Sequence, residues 1–356
     1  MIEELEALVD VESPSADAGA TEAALRLVDD LFLRHLGSRG EWRVAEARAH
    51  LVWSGGGDAR VVLVGHADTV WPLGTTARWP FSVTGDVATG PGCFDMKAGL
   101  VQGIHALRSV GDLDGVRFVV TTDEEVGSPT SRALVEEVAA GARAALILEP
   151  AADGAVKTAR KGVSMYTLAV HGRAAHAGLE PERGANAAVE LAHQVLALGA
   201  LADPSRGTTV TPTVLSAGTT TNTVPAFASV AIDARAAEPA EQQRVDAALR
   251  ALVAVTPGTA LELRGGINRP PLPPSASASL YALACRVAAE LGMPALAQIA
   301  VGGGSDGNFT AGIGVPTLDG LGAVGAGAHA EGEHVSVSAM PERAALVAGL
   351  VRELLA

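Results

Sequence analysis

Cysteine, aromatic residues and positive charge are all scarce in this chain. Cys93 and Cys285 are its two cysteines, far apart and in no metal-type or redox spacing. That excludes a disulfide-stapled scaffold and a thiolate metal site, and it predicts two reduced thiols. Aromatics supply 3% of the residues, so any core is built from aliphatic side chains. Lysine and arginine number 26 against 40 aspartates and glutamates, a net charge of −14. Such a chain repels phosphate backbones, which excludes nucleic acid and anionic membrane surfaces as partners but leaves a local pocket for a small anionic substrate. No apolar run reaches the ~18 residues of a membrane span. The opening Met1-Ile2-Glu3-Glu4-Leu5-Glu6 carries acids where a signal peptide needs bases. The expectation is a soluble, cytoplasmic protein.

What is present is apolar and patterned. Apolar residues make up 48% and charged residues 19% of 356 positions, enough to offset chain entropy and too many residues for one ordinary core, so two domains are expected. Residues 1–36 show helical spacing broken at Ser13-Pro14-Ser15, predicting two short helices. Val61–Val64, Val116–Val120, Ala144–Leu148 and Val315–Leu318 are continuous apolar runs of the kind that fill a sheet covered on both faces. Helical patterns at Ala98–Val110 and Ser131–Ala140 lie between them, which predicts an α/β sandwich with a mostly parallel central sheet. From Met165 the pattern changes to strand, helix (Ala185–Leu201), strand (Thr208–Leu215), strand (Ala228–Ala234), helix (Ala240–Val255), strand (Ala260–Leu263). That order is the ferredoxin-like β-α-β-β-α-β. The Pro-rich stretch Asn268–Pro274 marks a return to the first domain, completed by helices over Ala278–Leu291 and from Pro341 onward. The expected organisation is a discontinuous domain, 1–162 with 270–356, carrying an insert at 163–269.

Chemistry gathers where the apolar strands end. Val61–Val64 runs into Gly65-His66-Ala67-Asp68, Val116–Val120 into Thr121-Thr122-Asp123-Glu124-Glu125, and Ala144–Leu148 into Glu149. Open α/β sheets bind ligands outside the carboxyl ends of their strands, and imidazole with carboxylate suits zinc, manganese or cobalt. Each residue alone has an ordinary reading. His66 could be a satisfied half-buried histidine, Asp68 a turn acid, and Asp95 the cap of the helix that follows it. Glu124 and Glu125 could be a solvated acidic tip, and His329 an exposed loop histidine.

The joint order overrides these readings because it resembles the co-catalytic zinc metallopeptidases of the aminoacylase and carboxypeptidase family. The matching pieces are His66-Ala67-Asp68-Thr69-Val70, Gly90-Pro91-Gly92 with Asp95-Met96-Lys97-Ala98-Gly99, and Thr122-Asp123-Glu124-Glu125-Val126-Gly127-Ser128. Leu148-Glu149-Pro150, Ala175-His176-Ala177-Gly178, Asn222-Thr223-Val224-Pro225, Gly303-Gly304-Ser305-Asp306, and His329 followed by Glu333-His334-Val335 complete the set. They span essentially the whole chain, and within the family they are most similar to bacterial glutamate carboxypeptidases. The resemblance implies two divalent cations, zinc first with cobalt or manganese as alternatives. Asp95 would bridge them, His66 and Glu149 would hold one, and Glu125 and His329 the other. His334 stands where the glutamate carboxypeptidases have tyrosine and is the competing late histidine. Four carboxylates, counting Glu124, would balance four positive charges.

The same resemblance makes Glu124 the base that activates a water between the cations, and Asp68 the acceptor of the second His66 ring N–H. It also implies a cis peptide at Asp95–Met96. His176 on the insert would be an oxyanion donor, acting in its own or a partner subunit's site. Arg235, whose guanidinium fork suits a planar carboxylate, would bind substrate, with Asn222, Arg269 and the Gly304 loop. The insert would serve as lid and homodimer surface. Gly302–Gly307 also fits G-x-G-x-x-G, but Asp306 would oppose a pyrophosphate and the expected acid about 20 residues on is absent. The expected activity is hydrolysis of an amide that releases a C-terminal amino acid, glutamate favoured, from a small peptide or N-acyl amino acid. The alternatives are an N-acyl amino acid deacylase, like acetylornithine deacetylase or a desuccinylase, and, more remotely, a non-catalytic binding protein on the same fold.

Overall fold

The structure is a computed structural model describing residues 1–356, and it divides into two compact units. The first comprises Met1–Arg160, Leu272–Val301 and Ser305–Ala356, the second Lys161–Pro271 with Gly302–Gly304.

In the first unit the apolar runs become the centre of a six-stranded sheet. Its order is Glu41–Ala45, Arg48–Ser54, Val116–Thr121, Val61–His66, Ala144–Ile147 and Thr317–Leu318. The last four strands are parallel to one another, and the first two join antiparallel at one edge. Strand geometry sends successive side chains to opposite faces, and both faces are covered. Val61, Leu63, Val116, Phe118, Ala144 and Leu146 enter a core shared with the helices Ile2–Asp10, Ala18–Leu36, Ala98–Arg108, Pro274–Glu290 and Ala339–Leu355. Val62, Val64, Val119, Ala145 and Ile147 enter a second core with Leu134 and Val135 of the helix Arg132–Ala139 and with Phe309. Alternation with both sides buried is why the strands read as unbroken hydrophobic runs. Each such side chain contributes about 1.5–3 kcal/mol on burial. The parallel strands all deliver their carboxyl ends to one edge, which is where the ionisable residues lie.

The second unit is a four-stranded antiparallel sheet in the order Thr209–Ala217, Phe227–Ala236, Gly162–His171, Ala260–Arg269. The helices Ala187–Gly199 and Pro239–Arg250 pack against it. Tyr166, Leu168, Val170, Leu191, Leu198, Val230, Ile232, Val245 and Leu249 form its core. This is the ferredoxin-like arrangement expected of the insert.

Several boundaries differ from the sequence reading, each for a local reason. The helix expected over 240–255 ends at Arg250, and beyond it the backbone N–H groups of Val255 and Thr256 donate to the buried Glu190 carboxylate (3.1 and 2.6 Å). The strand expected over 260–263 continues to Arg269, paired along its length with Val163–His171. The helix expected from Ala278 begins at Pro274, where the fixed φ of proline suits a first turn. Only Thr317–Leu318 of the run at 315–318 is strand. No helix is long and apolar enough to cross a membrane.

Candidate metal centre

Five of the expected ligands converge in the first unit. His66 is the last residue of a central strand, Glu149 follows the neighbouring one by two residues, and Glu125 lies in the turn after the third. Asp95 sits in the Cys93–Lys97 turn, whose Asp95–Met96 peptide is cis. The two oxygens of Asp95 face two different histidines, Oδ1 at 3.4 Å from His66 Nε2 and Oδ2 at 3.4 Å from His329 Nε2. Glu149 Oε1 lies 3.5 Å from His66 Nε2, and Glu125 Oε2 lies 3.0 Å from His329 Nε2. The result is two triads, His66–Asp95–Glu149 and Asp95–Glu125–His329, that share Asp95.

These residues fit a pair of cations. His66 Nε2 and Asp95 Oδ1 are buried atoms with no hydrogen-bond partner, whereas buried polar atoms in folded proteins are nearly always paired. Separations of 3.4–3.5 Å around His66 Nε2 approximate the ~3.3 Å edge of a tetrahedron with ligand bonds of about 2.0–2.1 Å. A third group, Glu4 with His35 and His105, differs in kind. Its contacts of 2.6 and 2.5 Å are direct hydrogen bonds between ring nitrogen and carboxylate, which leave no room between donor and acceptor. Electrostatics agrees with the fit. Hydrogen bonds to Asp95 and Glu125 push His329 up to about 10, and although burial opposes charge on His66, its acidic neighbours raise it too. The carboxylates around the two histidines favour positive charge between them.

The supporting contacts show how the ligands are held and add one residue. The ring Nδ1 of His66 lies 3.0 Å from the backbone oxygen of Asp68 and 3.5 Å from its carboxylate, so the carbonyl is the nearer partner. The Asp68 carboxylate also accepts from Ser15 Oγ (2.7 Å) and from the backbone N–H groups of Glu124 and Glu125 (3.3 and 3.2 Å). It therefore anchors the turn that carries Glu124, which is buried beside Glu125. The added residue is Glu333. Its carboxylate is fully buried and accepts from Gly92 N, Trp71 Nε1, Phe94 N and Asp95 N at 2.8–3.0 Å. Glu333 thus clamps the backbone that presents Asp95 from the segment that also carries His329. Gly92 (φ 73°) is required here, because a Cβ would stand 2.4 Å from Thr69 Cγ2. The competing His334 donates through Nδ1 to Gly332 O (2.9 Å) in a strand of a small sheet, outside both triads.

The remaining expected residues belong to the second unit. His176 is exposed, and its Nδ1 accepts from Gly178 N at 3.2 Å. Arg235 is already paired with Asp233 through two bonds of 2.7 Å. Asn222 is exposed and its carbonyl accepts from Ala177 N. Arg269 is buried with Nη1 3.4 Å from Asn268 Oδ1, and Gly304 lies in the short 302–304 segment.

Comparison with known proteins agrees with this architecture. Residues 62–353 match Peptidase family M20/M25/M40. Carboxypeptidase G2 of Pseudomonas sp. (strain RS-16) is 31% identical over 99% of this chain and 89% of its own length. Acetylornithine deacetylase of Myxococcus xanthus is 34% identical over 38% of this chain and 35% of its own. Among solved structures, a metallo-carboxypeptidase of the same family from Sulfolobus solfataricus superimposes with a TM-score of 0.79 at 15% identity, covering 98% of both chains.

Proposed function

Because the chain belongs to Peptidase family M20/M25/M40 and is a metal-dependent hydrolase of that family, we propose that it cleaves the amide joining an acyl or peptidyl group to a C-terminal glutamate. The glutamate preference rests on the resemblance to bacterial glutamate carboxypeptidases, and a cavity of about 320 Å³ beside the metal centre, whose lining includes Phe94, Asp95, Pro150, Asp153 and Lys157, offers one cation for it. The half-buried Lys157 ammonium is the cation in that lining. Burial, and then the neighbouring Arg160, pull its pKa down, and an anionic group entering the cavity reverses that penalty. The carboxylates of Glu149, Asp319 and Asp95 act on the Lys157 pKa in the opposite direction.

His66, Asp95 and Glu149 would hold one divalent cation and Asp95, Glu125 and His329 the other. We take both to be zinc, with cobalt or manganese as substitutes. When bound, the pair supplies Lewis-acid polarisation of the amide and lowers the pKa of water. The chain does the rest. Glu124, held by Asp68 through its backbone N–H, takes the proton from the attacking water and delivers it to the leaving nitrogen. His66 and Asp68 keep the first triad oriented. On the strength of the resemblance, His176 is assigned the oxyanion-donor role, and Arg235, Asn222, Arg269 and the backbone at Gly304 the substrate carboxylate. Arg235 meets that role only by sharing or leaving Asp233.

A homodimer through the second unit belongs to the same reading. Leu196 and Leu215 are 77% and 54% exposed along a groove between the helix Ala187–Gly199 and the edge strand Thr209–Ala217, and Val214 of the same strand is 69% exposed. An open strand edge beside apolar surface is a site for pairing. The reading keeps the protein in the cytoplasm, where Cys93 and Cys285, neither in a disulfide, stay reduced.

The test is amino-acid release from a panel of N-acyl and peptidyl substrates by zinc-reconstituted protein, each beside a chelator-stripped control. Chelator-sensitive release of glutamate from aroyl or peptidyl glutamates is the expected result. Release from short-chain acyl amino acids alone would move the assignment to the deacylases, the reading favoured by the Myxococcus relative. No metal-dependent release across the panel would sink the hydrolase assignment.

A further inference from the structure

The mechanism leaves one buried ionic group beside the metal centre unused. Arg160 ends the strand Val156–Arg160 and is 5% exposed. Its backbone is fixed by reciprocal bonds with Leu272 (2.9 and 3.0 Å). Its guanidinium grips Asp319 twice, Nε to Oδ2 at 2.7 Å and Nη2 to Oδ1 at 2.8 Å, and reaches Glu149 Oε2 once, through Nη2 at 3.2 Å. Asp319 is fully buried and is held in turn by Ser305 Oγ at 2.6 Å and by the Gly320 N–H. Ser305 belongs to the Gly303-Gly304-Ser305-Asp306 motif, and the serine has no part in the chemistry derived above.

We propose that Arg160 is a positioning residue that confines Glu149 to single-oxygen cation binding, with Asp319 as its counter-ion and Ser305 as the brace of Asp319. Three observations carry this. The two oxygens of Glu149 are divided, Oε2 turned to Arg160 and Oε1 to His66 Nε2 at 3.5 Å. A cation that also sought Oε2 would share that oxygen with a guanidinium that is always charged, so like-charge repulsion opposes the two-oxygen mode. The division of bond lengths also matters. The short, forked pairing belongs to Asp319 and the longer, single bond to Glu149, so the charge of Arg160 is balanced by Asp319 and Glu149 keeps its own for the metal. The same motif treats the other side of the centre alike. Asp306 accepts from Thr121 Oγ1 and Ser128 Oγ (3.0 and 2.5 Å), on either side of the turn bearing Glu124 and Glu125. The inference rests on the reading of Glu149 as a metal ligand.

The test is cobalt titration of chelator-stripped wild type, Arg160→Lys, and the charge-balanced double variant Arg160→Gln/Asp319→Asn. Three quantities are read: the affinities of the two ions, the visible spectrum of bound Co²⁺, and the melting temperature of the metal-free protein. The double variant is expected to keep its metal-free melting temperature, weaken one of the two ions by about 10–100-fold, as outer partners of ligands typically do, and alter the cobalt spectrum. Arg160→Lys keeps a charge opposite Asp319 but loses the Nη2 that bonds both Asp319 and Glu149, so it should show the altered spectrum, and its metal-free melting temperature reads the loss of the fork separately. If the double variant does not fold, Arg160→Lys carries the test alone. Wild-type spectra and affinities in the variants, even with a lowered melting temperature, would overturn the proposal and leave a structural ion pair. Wild-type protein that takes up no cobalt overturns the metal reading itself, and this inference with it.

Discussion

Replacing Glu333 with glutamine alters the metal centre without touching a ligand. The side chain keeps its shape, but one carboxylate oxygen becomes an amide nitrogen. Each oxygen of Glu333 serves two donors: Gly92 N and Trp71 Nε1 on Oε2, Phe94 N and Asp95 N on Oε1. Whichever way the amide turns, two N–H groups meet a donor in a fully buried site. Leaving a buried donor unsatisfied costs about 1–3 kcal/mol, so Glu333→Gln should lose roughly 2–6 kcal/mol, a large share of the ~5–15 kcal/mol that stabilises a typical protein. All four tryptophans, Trp42, Trp53, Trp71 and Trp79, lie in the first unit, so fluorescence-detected urea unfolding of the metal-free protein reports on that unit. Burial pushes the Glu333 carboxyl up, and the measurement is made at pH 8 to keep it ionised. Glu331→Gln is the control, since Glu331 is 70% exposed in a surface pair with Arg78 and its loss should leave the midpoint in place. A loss below about 1 kcal/mol for Glu333→Gln, the worth of a single ordinary hydrogen bond, refutes the clamp.

Three further outcomes are expected. Glu124→Gln should retain both ions while turnover falls by about 100- to 10,000-fold, the contribution of a positioned acid–base group; near-wild-type turnover in metal-replete protein would remove Glu124 as the base. His329→Ala should bind one ion fewer by elemental analysis and His334→Ala should keep both, since His334 is engaged with Gly332 O; the reverse pattern would exchange their assignments. Burial alone would raise the Glu4 carboxyl, but hydrogen bonds from His105 and His35 outweigh it and lower it from 4.5 to about 2. A depressed carboxyl stabilises the fold above its unfolded pKa and loses that contribution as pH falls towards its folded one. The melting-temperature advantage of wild type over Glu4→Gln should therefore shrink as the pH falls below about 4.5. Parallel curves down to pH 3 would contradict it.

What the sequence carried and what it hid follow from the range of the forces involved. Val61–Val64 was legible as a central strand because both of its faces are buried, which forces an unbroken apolar run. The convergence of His66, Glu125 and Glu149 was legible because parallel strands end at one edge of the sheet. The edge hairpin Glu41–Ser54 was not legible. Its turn uses Glu46 and Ala47 at φ 48° and 64°, without the Asn-Gly signature that marks such turns. The end of the helix at Arg250 was hidden because Glu190, 65 residues before Val255 in sequence, claims the backbone beyond it. Glu333 stood in a quoted motif but carried no role, since its partners lie 238–262 residues earlier and are mostly backbone N–H groups that no side-chain pattern reveals. Asp68 was placed beside His66, but the further contact of its carboxylate with the Glu124 turn was hidden, since that depends on how two loops meet.

The most direct test of the central claim is glutamate release from an aroyl-glutamate, measured while zinc is titrated into chelator-stripped protein. Release should be absent without metal, rise with added zinc, and level off at about two ions per chain, one for each triad around Asp95. Release that persists in the stripped protein, or that is complete at a single ion, would contradict a hydrolase built on two cations sharing Asp95.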